Sequence, residues 1–224
     1  INCENLTNLV FPEGLKKIES FAFKFCYKLK SIVLPESLES INLQAFEQCV
    51  ALESVDFSSS LQTIGQRAFF NCNQLKTIDF PEDSQLTTIG NNCFTLCANL
   101  KTVTLPSTLQ SIGVSAFLSC QNLIGVTFLG SSNASITNIG VSAFKDCSSL
   151  LEFSMPNSIT TVEADTFMGC SSMVSMQLSE NTTALGNNAF QDCSLLTDIS
   201  FPSSLQSIGN EVFLNCSNLQ NITL

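Results

Sequence analysis

Hydrophobic residues recur along this chain at a fixed set of short spacings. In one unit, the inward-pointing residues Ile32 and Leu34 alternate with outward-pointing residues. This alternation has the two-residue period of a β-strand. Pro35 follows directly, and a second apolar pair, Leu38 and Ile41, comes next. Because proline cannot donate a hydrogen bond within a sheet, it marks the end of a strand. The pattern predicts one strand in each unit, then a turn and a second short apolar segment.

A ladder of cysteines sets the length of the repeat. Successive spacings are 23, 23, 23, 25, 23, 27, 23, 23 and 23 residues. The ten ladder cysteines are Cys3, Cys26, Cys49, Cys72, Cys97, Cys120, Cys147, Cys170, Cys193 and Cys216. A phenylalanine stands three residues before nine of them: Phe23, Phe46, Phe69, Phe94, Phe117, Phe144, Phe167, Phe190 and Phe213. We predict that these rings stack in the interior, where aromatic pairs pack well.

One 23-residue unit cannot bury its apolar side chains alone, so neighbouring units must stack and share a core. Equivalent strands then form a parallel sheet with a spacing of ~4.8 Å. The Leu-x-x-Ile-x-Leu order of the apolar positions is that of a leucine-rich repeat. The predicted fold is a leucine-rich-repeat solenoid of the α/β type, mostly strands and turns, with a parallel concave sheet and about nine coils.

Two units are longer than the rest. The 25-residue unit has extra residues around 82–85 and the 27-residue unit around 130–133, both in the turn after the strand. Insertions in repeats map to loops that often bind a partner, but surface loops also tolerate insertions at little cost. Both interpretations stay open. Residues 1–224 are expected to form one solenoid domain and, because each end falls inside a repeat, to belong to a longer protein.

Composition narrows the range of functions. Apolar residues make up 44% of the chain and charged residues 12%, which excludes an intrinsically disordered protein. The net charge of −10 opposes binding to nucleic acid, which needs a basic surface. Histidine is absent, so we expect no catalytic residue, no cofactor and no enzyme activity. No run of 18 apolar residues occurs, so no membrane span is expected in this segment. No basic-then-apolar leader is visible either, so no signal peptide is expected in it.

Charge is uneven along the chain. Residues 1–101 hold eight basic and eleven acidic residues, a net of −3. Residues 102–224 hold one basic residue, Lys145, and eight acidic ones, a net of −7. Either the less acidic part faces another domain, or the charges only keep the coil soluble.

The cysteines allow three interpretations. A zinc site needs pairs of Cys a few residues apart, and only Cys93 and Cys97 come that close, so we expect no metal. Neighbouring ladder sulfurs would lie within disulfide reach, since stacked strands are about 5 Å apart. Free cysteine also packs as a small buried hydrophobe. A reduced, buried ladder is the favoured prediction, and packing rather than a local bond is favoured for Cys93.

The repeat closely resembles the BspA-like, or treponemal-type, leucine-rich repeat family. The resemblance rests on the Ala-Phe-x-x-Cys element, as in 45–49, and on the Leu-Pro-x-x-Leu-x-x-Ile-Gly element, as in 105–113. It implies a cell-surface or secreted module that adheres to host matrix proteins or to host cells through their surface proteins. The alternative is a structural spacer that displays another domain. Six positions depart from the repeat and affect local turn shape: Ser58, Leu129 and Ser179 replace Pro, and Glu19, Asn42 and Glu163 replace Gly.

The functional surface is predicted on the outward face of the sheet, five and seven residues after each ladder Cys. These positions are rich in Ser and Thr, hold scattered acids and lack basic residues, which suits hydrogen bonding to a protein or glycan. A merely solvated face would have a similar composition, because Thr is common in strands. The candidate partner-binding residues are Ser54, Asp56, Thr77, Asp79, Thr102, Thr104, Thr127, Glu152, Ser154, Gln177 and Asp198.

Overall fold

Eighteen short strands and no helix occur in the residues that the computed structural model describes, 3–130 and 135–223. We call the strands that follow the nine ladder cysteines from Cys26 to Cys216 the front strands: β2 (Ser31–Val33), β4 (Ser54–Asp56), β6 (Thr77–Asp79), β8 (Thr102–Leu105), β10 (Gly125–Phe128), β12 (Glu152–Ser154), β14 (Ser175–Gln177), β16 (Asp198–Ser200) and β18 (Asn221–Thr223). The back strands are β1 (Lys17–Ile18), β3 (Ser40–Ile41), β5 (Thr63–Ile64), β7 (Thr88–Ile89), β9 (Ser111–Ile112), β11 (Asn138–Ile139), β13 (Thr161–Val162), β15 (Ala184–Leu185) and β17 (Ser207–Ile208). The predicted leucine-rich-repeat solenoid of about nine coils with parallel stacked strands is confirmed, and the second apolar segment of each unit forms the back strand.

Equivalent strands of successive coils pair in parallel, but the front sheet is interrupted. Its hydrogen-bonded groups are β2-β4, β6-β8-β10 and β12-β14-β16-β18, whereas the back strands form β1-β3-β5-β7-β9-β11 and β13-β15-β17. The gap between β4 and β6 separates Asp56 from Asp79, and like charges at facing positions weaken strand pairing. The gap between β10 and β12 spans the 27-residue unit. Its inserted residues 131–133 lie outside the described part of the chain.

Between each back strand and the next front strand, stacked turns form a third side, which we call the turn ladder. Gln44 and Gln48 have φ values of 55° and 65°, in the left-handed region. The N–H of Gln44 donates to the carbonyl of Gln66 in the next coil (2.9 Å), and that of Phe46 donates to Ala68 (2.8 Å). Each coil has two such left-handed residues, four positions apart, which prevent a helix and direct alternate N–H groups to the next coil. The left-handed positions of the turn ladder are Phe21, Phe25, Gln44, Gln48, Arg67, Asn71, Asn92, Leu96, Ser115, Ser119, Ser142, Asp146, Asp165, Gly169, Asn188, Asp192, Glu211 and Asn215.

The core is a continuous stack of phenylalanine rings inside the coils. From Phe23 to Phe213, successive ladder rings lie 5.2–5.7 Å apart between centroids, with interplanar angles of 0–12°. The seven rings from Phe46 to Phe190 are fully buried, and the two outer ones are half-buried because they lie in end coils. The prediction of an interior Phe ladder is confirmed.

The ladder cysteines lie beside these rings. Eight thiols, from Cys49 to Cys216, each donate a hydrogen bond to the carbonyl of a ladder Phe in the preceding coil, at 3.1–3.4 Å. Between Cys26 and Cys216 the structure contains no disulfide, and Cys93 is fully buried in the place of the usual Ala. Burial of the ladder is therefore confirmed, and packing accounts for Cys93.

A turn that lacks the usual proline keeps the course of the backbone seen in the other coils. Ser179 replaces Pro and is fully buried. Its hydroxyl donates to the carbonyl of Asn157 (3.2 Å) and accepts from the N–H of Asn181 (3.0 Å). Side-chain hydrogen bonds thus fix a turn that the pyrrolidine ring fixes elsewhere. In the 25-residue unit, the extra residues around Glu82 lie in the turn between β6 and β7, as predicted, and Glu82 and Asp83 are exposed.

Candidate partner-binding face

The front strands expose alternate side chains, as their period requires. In β4 the central Val55 points into the core, while Ser54 and Asp56 on either side are exposed. The same pattern of exposed, buried, exposed residues holds in β2, β6, β12, β14 and β16. All eleven candidate residues lie on this outward face; Thr104 is partly buried and the other ten are exposed. We call this surface the front face.

Strand register sorts the candidates into three groups. Ser54 and Asp56 lie on β4 and face Ser31 and Val33 of β2. The second group spans three strands of continuous register: Thr77, Asp79, Thr102, Thr104 and Thr127. The third comprises Glu152, Ser154, Gln177 and Asp198 on β12, β14 and β16. The two interruptions of the sheet therefore divide the candidate surface.

Hydrogen bonds between neighbouring strands organise part of each larger group. The Thr104 hydroxyl donates to the Asp79 carboxylate at 2.9 Å, and the Ser154 hydroxyl to the side-chain oxygen of Gln177 at 3.2 Å. The Asn221 amide donates to Asp198 at 2.9 Å and is the main cause that lowers the pKa of this carboxyl group. These carboxylates keep acceptor capacity for a partner, because each oxygen takes more than one hydrogen bond.

Within the described residues, the acidic side chains of the front face have no basic side chain beside them on that face. The ion pairs of the described residues lie elsewhere: Lys16–Glu39, Lys24–Glu47, Arg67–Glu47, Lys76–Glu53 and Lys145–Asp165. Shallow open depressions lie where front strands end. One of about 380 Å³ is lined by Asp56, Asp79 and Pro81, and another of about 480 Å³ by Thr127, Ser154 and Gln177. The surface presents hydroxyl, amide and carboxylate groups over shallow contours, which is suited to contact with a macromolecule.

Among the residues described, no three His, Cys, Asp or Glu side chains are placed to hold a metal ion. The described ranges also contain no helix that is long and apolar enough to cross a membrane.

One surface feature beside the front face was missed from the sequence. Ile124, Leu151 and Val174 stand four residues after a ladder Cys, directly before β10, β12 and β14, and are 45%, 45% and 44% exposed. The equivalent residues of the four preceding coils are charged: Lys30, Glu53, Lys76 and Lys101. Aligning the repeats would have revealed this change from charged to apolar. We call the three apolar residues the edge stripe.

Stacked parallel strands, a shared aromatic and aliphatic core and an exposed strand face define an open leucine-rich-repeat solenoid. The chain belongs to the family of BspA type leucine-rich repeats, whose model matches residues 1–124 and 127–224 with six copies.

Solved structures share this fold. A leucine-rich repeat protein of T. pallidum, TpLRR, is 25% identical over 92% of this chain and 72% of its own, with a TM-score of 0.55. The pneumococcal vaccine antigen PcpA is 18% identical over 87% of this chain and 60% of its own, also with a TM-score of 0.55. At that identity, the similarity to PcpA concerns the fold alone. A search of curated proteins found no match.

Proposed function

We propose that this solenoid is a non-enzymatic adhesion or protein-interaction module, which binds a host matrix or cell-surface protein, or a glycan, through the front face. The observation that carries the proposal is the array of exposed hydroxyl, amide and carboxylate groups on successive strands, with no ion pair among the described residues to neutralise the acids. Because paired strands lie ~4.8 Å apart, one extended partner can contact several coils. The family supports this proposal and also a cell-surface or secreted location.

Binding of the labelled protein to a panel of matrix proteins and host cells tests this function. The variant Asp56→Ala, Asp79→Ala, Glu152→Ala and Asp198→Ala removes the acids of the front face. Its matched control, with the same change in net charge, alters exposed acids outside the front strands: Glu4→Ala, Glu13→Ala, Glu82→Ala and Asp83→Ala. Saturable binding that only the first variant loses supports the proposal. If both variants lost binding equally, the loss would be due to the change in net charge and not to the position of the acids on the front face.

A rigid spacer is the second candidate, and the unbroken Phe stack favours it. Rings in register from Phe23 to Phe213 resist bending between coils. A spacer predicts no saturable binding to any member of the panel. The location is tested separately, by labelling intact cells with a membrane-impermeant biotin reagent; labelling only after lysis would contradict a surface location.

A further inference from the structure

The edge stripe is continuous in space. The N–H of Leu151 donates to the carbonyl of Ile124 (3.2 Å), and the N–H of Val174 donates to that of Leu151 (2.8 Å). These bonds place the three side chains on consecutive coils, so the stripe spans about 10 Å along the solenoid axis. Exposed apolar residues are ordinary when scattered, but a contiguous row beside a candidate binding face indicates a contact surface.

Packing within the coil does not require these apolar residues. The same position carries Lys76 and Glu53, which form an ion pair at 2.5 Å across neighbouring coils. A charged side chain is therefore compatible with the local backbone. Beyond the stripe, the position returns to polar residues, Thr197 and Gln220. The apolar character is confined to three coils.

Gly125 adds a notch beside the stripe. It directly follows Ile124, and a Cβ built on it would meet no atom within 4 Å. Thr102 faces it on β8, and the bond from Leu151 to Ile124 brings Glu152 to its other side. A side chain would fit here, so its absence leaves a recess in the front face.

Charge around the stripe selects the partner. Residues 102–224 hold one basic and eight acidic residues, and the basic one, Lys145, is paired with Asp165 at 3.4 Å. Glu152 follows Leu151 directly, and Asp198 lies two strands further on. Anionic lipids, nucleic acids and acidic glycans would be repelled, whereas a segment that combines apolar with Lys or Arg side chains is complementary.

We propose that the edge stripe and the Gly125 notch bind a basic amphipathic helix of a protein partner. In such a helix, residues i, i+3 or i+4, and i+7 span about 10 Å, which equals the span of the stripe. Its Lys and Arg residues lie over Glu152 and Asp198. Its C-terminal end points toward Lys101, which borders the stripe, because cations favour the negative end of a helix dipole. This inference rests on the proposed binding function and names the class of partner.

Titration with fluorescent 18-residue peptides tests the inference: an amphipathic Leu/Lys peptide, and a Leu/Glu peptide of the same pattern. The stripe variant is Ile124→Ser, Leu151→Ser and Val174→Ser. The control variant removes similar exposed apolar area from the turn ladder and the turns beside it: Leu96→Ser, Val114→Ser and Val141→Ser. We expect the Leu/Lys peptide to bind the unchanged protein. The stripe variant should bind this peptide with an affinity lower by about tenfold or more, and the control variant should bind it with unchanged affinity.

Gly125→Thr keeps the test valid if the stripe variant unfolds, because a β-branched residue fits this strand and fills the notch. This substitution should lower the affinity for the Leu/Lys peptide and leave the midpoint of urea unfolding unchanged. Equal binding by the Leu/Glu peptide, or full binding by both the stripe variant and Gly125→Thr, would overturn the inference. Loss only in the four-acid variant also overturns it, but leaves the front-face proposal intact. Peptide binding without any binding to matrix proteins would instead contradict the adhesion function alone.

Discussion

The thiol of Cys120 donates a hydrogen bond to the carbonyl oxygen of Phe94, one coil earlier, at 3.2 Å. That carbonyl also accepts the N–H of Cys97 at 3.2 Å, which closes the turn within its own coil. The thiol therefore joins two coils through an oxygen that already belongs to the turn. A cysteine suits this position because it is small enough for the core and still carries a weak donor. A sulfur that donates this hydrogen bond is a thiol, and it is not joined to the sulfur of a neighbouring coil in a disulfide.

Counting thiols tests this arrangement. Unfolding without reductant should release close to eleven reactive thiols per chain, the full number of cysteines. In the native state the reagent should react slowly, because burial raises the pKa of Cys97 to about 12 and leaves almost no thiolate near neutral pH. The measurement is reaction with a disulfide reagent at pH 8, with and without 8 M urea. A count near zero in urea would show a ladder of disulfides instead.

Stability should fall at alkaline pH. Burial raises the pKa of Cys49 from 9.0 to about 12, and it raises that of the fully buried Cys72 well above 9.0. Below pH 9 both states keep the proton, so the stabilisation is fully present. Above pH 9 the unfolded chain loses protons that the folded chain retains, so the free energy of unfolding falls by about 1.4 kcal/mol per pH unit for each such thiol, up to its folded pKa.

Urea unfolding at pH 7, 8, 9 and 10 measures this slope. The variant Cys49→Ala, Cys72→Ala and Cys97→Ala should be less stable at pH 7, because it loses core volume. Its stability should nevertheless depend less steeply on pH above 9. Parallel curves for the two proteins would assign the alkaline effect to other groups.

The coils and the core were predictable because each buried position repeats a residue type. Phe46 and Cys49 recur with the same spacing in every coil, and the apolar pairs mark both strand sets. The turn ladder was not predictable in the same way. Its left-handed positions hold residues as different as Phe21, Gln44 and Asn92. These residues share a backbone hydrogen bond to the next coil and have no common side-chain type. The interruptions of the front sheet also depend on contacts between coils, which a repeat pattern does not express.

The candidate face was predictable as a set of exposed positions, because alternation within a strand fixes which side chains point outward. Its division into three groups depends on strand pairing, which sequence does not give. The edge stripe was missed because only the apolar positions of the repeat were compared, and not the position of Ile124 and Leu151, which carries charged residues in other coils. The exposure of Ile124 and Leu151 is a property of the position directly before the front strand, where earlier coils carry Lys30, Glu53, Lys76 and Lys101. That the front face binds a partner remains a proposal.

Two glycines provide a matched comparison of crowding. A Cβ on Gly113 would lie 2.5 Å from the backbone nitrogen of Asn91 in the preceding coil, whereas one on Gly125 would meet nothing within 4 Å. Gly113→Ala should therefore force two coils apart and destabilise the protein by at least about 2 kcal/mol. Gly125→Ala should be neutral or stabilise by about 0.5 kcal/mol, because it restricts the unfolded chain. Chemical unfolding of both variants decides the matter; similar losses for the two would contradict close coil contact at Gly113.

Leu96 occupies a left-handed position (φ 64°) at which a branched apolar residue is unfavourable. The equivalent residue in the preceding coil is Asn71 (φ 57°), a type that adopts this conformation readily. Both N–H groups bond to the next coil, that of Leu96 to Leu118 at 2.9 Å and that of Asn71 to Thr95 at 2.8 Å, so the backbone contact does not depend on the side chain.

Leu96→Asn should therefore raise the free energy of unfolding by about 0.5–1 kcal/mol, since the 40%-exposed Leu side chain contributes little burial. Asn71→Leu should lower it by a similar amount, and by slightly more because its amide also donates to Gln48 at 3.3 Å. Urea unfolding measures both changes. A destabilised Leu96→Asn variant would mean that packing of the leucine outweighs backbone conformation at this rung, and the turn ladder would then be stabilised by its side chains as well as by its bonds between coils.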